Sequence, residues 1–323
     1  MTRPPVLKHM WIFVKNHRQW LGFGAIAIGL VYAYMKVLYE PRHIVVDIFY
    51  GFFFILLIAG LYHAFGNEVR TKHTLKVDVW DLFFTGLGVM VTFSMVHYLE
   101  LSAVVASSLV GTAGFFIFKR YQVPIYCGSF AGMVSVVLFD FFEVGILALV
   151  CGLIFVLTKP LFAGYGGKLG TIAFMSSLIT FSIFDKAYLT IEGDFNIWIV
   201  LGVCVLGVVL TFYIQHHLKL TAVLASALTT LVVCTPLIYF LSDYAHYAVV
   251  FFSASFLGMS SKERLPNFVF VVLSGVILGL IYDIFLAYFH GLGGKLGLMA
   301  LISVVITTGL SSLFTKPVRE WFE

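Results

Sequence analysis

The chain has 323 residues, 61% of them hydrophobic and 11% charged, with a formal net charge of +4. Water-facing domains carry roughly 25% charged residues, so a soluble surface is excluded, and no basic run interleaved with aromatics offers a nucleic-acid face. Apolar stretches near the ~20 residues that cross a ~30 Å hydrocarbon core, without barrel-type alternation, predict an all-α polytopic membrane protein, because helices satisfy their own backbone in lipid.

Residues 1–18 place Leu7, Met10, Trp11 and Val14 on one helical face, with Lys8, Lys15 and Arg18 elsewhere. That pattern predicts a cytoplasmic interfacial helix. No small-residue cleavage site follows, so the first span is read as uncleaved. Residues 19–79 hold two spans, 19–38 and 44–65. Ten more are expected at 80–98, 101–118, 124–140, 143–158, 169–184, 197–217, 220–241, 245–261, 268–288 and 296–314. The spans 101–118 and 143–158 are short enough to be tilted or re-entrant.

Loop charges set the expected orientation. With a cytoplasmic N-terminus, sixteen Lys and Arg residues fall inside and only Lys36, Arg42, Lys186 and Lys295 fall outside. A miscounted span would destroy that bias. The expectation is a multi-pass protein of an inner-membrane type with both termini cytoplasmic.

Within the later spans one stretch is written twice. Residues 92–109 (TFSMVHYLELSAVVASSL) and 211–228 (TFYIQHHLKLTAVLASAL) agree at ten of eighteen positions without a gap. The register continues from 129–135 to 255–261, from Gly152-Leu153-Ile154 to Gly279-Leu280-Ile281, and from 166–170 to 293–297. The offset grows from 119 to 126 and then 127, with the added residues near Ser242. Each unit covers about five helices, 80–190 and 191–323. An odd number of crossings predicts that the second unit is inverted relative to the first, and the turn charges agree: Glu100 outside against Lys219 inside. Inverted repeats are common in secondary transporters. The expected function is therefore alternating-access transport of a small solute or ion. A channel or passive facilitator with the same symmetry is the alternative, and a lipid-handling protein is a weaker one.

Residues kept in both units are the candidate site residues. Ser129, Phe130, Gly132 and Met133 match Ser255, Phe256, Gly258 and Met259. Their glycines allow close approach or local unwinding, which fits either a central pathway or helix packing. The Gly-Gly-Lys-Leu-Gly motif opens a helix in each unit, where Lys168 and Lys295 are placed to meet an anion or lipid headgroup; a tight turn is the plainer account. Ser176 and Thr180, matched by Ser303 and Thr307, continue a small-residue stripe that packs helices or lines a polar path.

Ionisable groups in the spans are few. His97 and His216 occupy equivalent positions, with no metal-ligand spacing around them. Asp47 and Asp283 are the intramembrane carboxylates; Asp283 is the candidate for ion coupling, although its counterpart is Val156. Asp140 and Glu143 fall in an external turn. Cys127, Cys151, Cys204 and Cys234 lie in apolar segments and read as small core residues. No catalytic motif is present. No enzyme activity, cofactor or metal is expected; the expected partners are membrane lipid, the solute and, in a homo-oligomer, further copies of the chain.

Overall fold

The computed structural model describes residues 22–36, 38, 44–70, 78–187, 189 and 196–315. The expected interfacial helix at 1–18 lies outside them. Among the described residues twelve α-helices follow in order: α1 (Gly22–Lys36), α2 (Ile44–Arg70), α3 (Val79–Leu99), α4 (Ala103–Ile117), α5 (Gln122–Ala131), α6 (Phe141–Thr158), α7 (Lys168–Ile183), α8 (Ile197–His217), α9 (Ala222–Tyr239), α10 (Ala245–Gly258), α11 (Phe268–Phe285) and α12 (Lys295–Thr315). Among the described residues the only β-structure is a single bridge between Leu189 and His290.

By length and composition, α3, α6, α8, α9 and α11 are able to cross a membrane, as a helical membrane protein requires. Shorter apolar stretches of α1, α2, α4, α7, α10 and α12 accompany them. The expected span 124–140 takes a different form. Its helix α5 stops at Ala131 after ten residues, about 15 Å at 1.5 Å per residue. The segment from Gly132 to Asp140 is a series of turns. Helix α10 likewise stops at Gly258, short of the expected 261.

The helix starts are written locally. Asp78, Asn196, Thr221 and Asn267 each accept a backbone N–H in the first turn of α3, α8, α9 and α11. Asp140 and Glu143 form a reciprocal capping box at α6. Such caps stabilise a helix by about 1 kcal/mol each. The Pro236 ring sits inside α9 near its end, where Phe240 and Leu241 both donate to the Pro236 carbonyl.

In lipid, helices gain little from hiding apolar surface, so close packing at small residues carries the association. Helix α3 packs on α5 and α6, and α8 packs on α10 and α11. Gly152 of α6 sits so near Leu82 of α3 that an added methyl would lie 2.9 Å from the leucine Cγ. Gly279 of α11 meets Leu201 of α8 in the same way, at 2.7 Å from Cδ2. Helix α4 packs on α9, and α7 on α12. At the latter crossing a methyl on Gly170 would lie 2.6 Å from the Gly297 Cα, and one on Gly297 would lie 2.5 Å from the Gly170 Cα. The two N-terminal helices divide between these last two. Gly29 of α1 abuts Met175 of α7, and Gly60 of α2 abuts Val305 of α12.

Candidate functional site

The ends of α5 and α10 meet in the core. Phe130 and Phe256, both essentially buried, have ring centroids 4.4 Å apart with planes inclined at 46°. Each of these two helices, of ten and fourteen residues, ends against a glycine loop from the far part of the chain. Ser135 N–H donates to the Gly291 carbonyl, and Ser261 N–H donates to the Gly164 carbonyl, both at 2.9 Å. Methyls at Gly293 and Gly166 would strike the terminal carbonyls of α5 and α10, so only glycine admits this approach. The four glycines Gly164, Gly167, Gly291 and Gly294 all adopt positive φ, between 77° and 83°.

Two cavities flank the phenylalanine pair, and both rings line both cavities. One, about 350 Å³, is bounded by the 162–170 loop, with Met259, Gln215 and Ser261 on its wall. The other, about 270 Å³, is bounded by the 289–296 loop, with Met133, Tyr282 and His290 on its wall. The linings correspond by sequence register: Met259 with Met133, Lys168 with Lys295, Phe162 with Phe289, and Val123 with Val249. No aspartate or glutamate lines either cavity.

Each lysine at the cavity edge has carbonyl partners. Lys168 Nζ donates to the Lys159 carbonyl at the end of α6. Lys295 Nζ donates to the Leu286 carbonyl at the end of α11, 3.4 Å away, and to the Tyr288 carbonyl at 2.5 Å. A cation at a helix C-terminus satisfies carbonyls that lack intrahelical partners and complements the helix dipole. The lysines thus close the turn between two helices. Burial, then the nearby Lys295 charge, push the His290 imidazole below its ordinary range, partly offset by a backbone hydrogen bond involving Leu286.

Phe162 and Phe289 were not read as site residues from sequence. Both adopt the left-handed conformation, at φ 50° and 58°, which is uncommon for a bulky side chain. Each lines one cavity. Phe162 stacks on Phe23 at 4.9 Å, and Phe289 packs edge-on to Phe174 at 5.2 Å. A signal for them existed: the Gly-Gly-Lys-Leu-Gly match extends four residues upstream, as Phe-x-Gly-x from 162 and from 289.

The other expected site residues are placed as follows. Ser129 shares a 2.8 Å hydrogen bond with Ser107, and Ser255 shares one of the same length with Ser226; neither serine lines a cavity. Gly132 packs on α3 and Gly258 on α8. Ser176, Thr180, Ser303 and Thr307 donate back to carbonyls of their own helices. Such back-bonds satisfy the hydroxyls within their own helices. Asp283 is exposed and lines neither cavity. Asp47 lies in α2, but its side chain falls outside the described residues. The His216 imidazole Nε2 lies 3.0 Å from the Ser260 carbonyl, and His97 packs on Phe93 and Phe141. No cluster of metal-ligating side chains occurs among the described residues. The four cysteines are free and buried.

Two carboxylates are more enclosed than their positions in the sequence imply. Glu143, expected in a solvated turn, is buried and pairs with Lys186 at 2.7 Å. Asp81, in the first turn of α3, is 3% exposed and pairs with Lys159. Both pairs sit at helix ends, and neither reaches a cavity lining.

The geometry defines a helical bundle with paired cavities on either side of a buried aromatic contact. No protein-family model, curated protein or solved structure matches this chain.

Proposed function

We propose that the chain is an integral membrane transport protein of twelve spans, moving a small solute by alternating access between two inverted five-helix halves. The route runs from one cavity, past Phe130 and Phe256, to the other. One observation carries this reading: the two cavities are lined by residues that match one another in the sequence repeat, and they meet at a matched pair of phenylalanines. Under inversion, matching cavities face opposite sides of the bilayer, which is what transport between compartments needs. The charge bias of the loops supports the same orientation. Helices that stop short are tolerated at membrane depth where their free ends are buried in protein or line a cavity, as the ends of α5 and α10 do.

A second reading is a channel or facilitator. It is favoured by the coexistence of both cavities in one structure, since a symmetric conduit needs no exchange of states. Reconstituted protein separates the two. A carrier gives saturable uptake and counterflow; linear flux with single-channel currents contradicts alternating access.

A further inference from the structure

Resting on that transport reading, we propose that the paired cavities take a small, uncharged, hydrogen-bonding solute and exclude ions of either sign.

Cations are disfavoured first. Neither lining contains a carboxylate, and the cations bordering the cavities repel positive charge. Anions are disfavoured by how those cations are used. The ammonium groups of Lys168 and Lys295 are directed to backbone carbonyls. The Arg264 guanidinium lies 4.3 Å from the Tyr165 ring centroid and donates to the Ala163 carbonyl.

Besides those lysines, the polar side chains of the linings are Tyr165, Gln215 and Ser261 in one cavity and Ser102, Tyr282 and His290 in the other. Gln215 Oε1 and Ser261 Oγ are buried atoms on the wall of the Lys168 cavity, and neither has a hydrogen-bond partner. His290 Nε2 is another such atom, beside the Lys295 cavity, at a position whose repeat counterpart is Ala163. Buried polar atoms are normally paired; these three are covered by neighbouring atoms, and a small rotation of each side chain would turn its unused hydrogen-bonding capacity toward a solute in the cavity. The remaining walls are largely apolar, as in small-molecule sites that orient a ligand through few polar groups.

The constriction applies the same selection more severely. Between the cavities stand two aromatic rings, and a solute crossing there sheds its water. A bare ion pays far more for that than a neutral amide or hydroxyl compound. Solutes of a few heavy atoms, such as amides and short polyols, have the required chemistry and size.

The test uses the full chain in proteoliposomes, with stopped-flow light scattering after jumps of glycerol, acetamide, potassium formate, potassium chloride or methylammonium thiocyanate, valinomycin carrying the potassium and the permeant thiocyanate balancing the methylammonium so that net ion entry is electrically neutral. The expected result is that glycerol or acetamide enters faster than into protein-free vesicles, while the salts do not. A Gln215→Leu/Ser261→Ala double variant, shown monodisperse in detergent, should slow that entry by about fivefold or more, from the loss of two hydrogen bonds; if it fails to insert, Ser261→Ala alone carries the comparison. Salt entry without glycerol or acetamide entry overturns the uncharged cargo and leaves the transport reading standing. Entry of none of the five counts against both. Wild-type entry rates in the variant overturn the assignment of these polar groups.

Discussion

Phe130 and Phe256 occupy the same place in the two repeats and touch each other, with ring centroids 4.4 Å apart. Residues related by a twofold axis meet their own counterparts only on that axis. Gly170 and Gly297 do so at the crossing of α7 and α12. The proposed axis therefore passes through both contacts, and the proposed solute route crosses it at the phenylalanines.

If that pair is the barrier, shortening it opens the route. Phe130→Ala and Phe256→Ala should each raise solute leak by roughly tenfold, measured as efflux from preloaded proteoliposomes. The same changes should cost about 3–5 kcal/mol of stability. Unchanged leak in a variant that remains folded would move the barrier elsewhere.

The glycine loops make a sharper structural prediction. Gly164→Ala and Gly291→Ala force a side chain onto φ values of 77° and 83°, costing roughly 1–2 kcal/mol for the backbone alone. The new methyl would also lie 2.5 Å from Ser261 Oγ or from Leu138 Cδ1. Both variants should melt earlier in detergent. Gly202→Ala in α8, where nothing lies within 4 Å, should be neutral or gain up to about 1 kcal/mol.

Lys168→Met and Lys295→Met should act on stability and leave selectivity unaltered. Removing a charged donor from a buried carbonyl costs about 1.5–3 kcal/mol, a range that applies to Lys295; the Lys159 carbonyl held by Lys168 is exposed, so the loss there should be smaller. The larger loss is expected at Lys295, which holds two carbonyls. A change in the ratio of transported solutes, with thermal stability intact, would return these lysines to the recognition site.

Gly132→Leu and Gly258→Leu test whether the motif glycines line the route. Methyls there would lie 2.9 Å from the Thr92 Cβ and 2.6 Å from the Thr211 Cβ. The expected outcome is a lower yield of folded protein on size exclusion. Full yield with blocked flux would place these glycines on the solute path.

The helices were largely legible in the sequence because lipid imposes length and apolarity on each one, and caps such as Asp140 and Asn267 mark their starts. The early end of α5 was not. Residues 132–140 are apolar enough to continue a helix, and what holds them otherwise is a bond from Ser135 to Gly291, 156 positions away. The candidate site was half legible. Comparing the repeats isolated Phe130, Phe256, Met133 and Met259, which do line the cavities. It also isolated Ser129 and Ser255, whose hydroxyls are consumed by neighbouring helices. Repetition records shared packing as faithfully as shared chemistry. Gln215, Ser261 and His290 could not be singled out, because their partnerless atoms are a property of the assembled walls.

The central claim is that the two halves are inverted, and accessibility at one matched turn tests it most directly. Glu100 and Lys219 are equivalent, exposed, and share the left-handed conformation at φ 50° and 55°. Single cysteines placed there, in a background whose four native cysteines are replaced, should react differently with a membrane-impermeant maleimide on intact cells. Position 100 should label directly and position 219 only after permeabilisation. Labelling of both from the same side would contradict the inversion and, with it, the proposed route between opposite faces of the membrane.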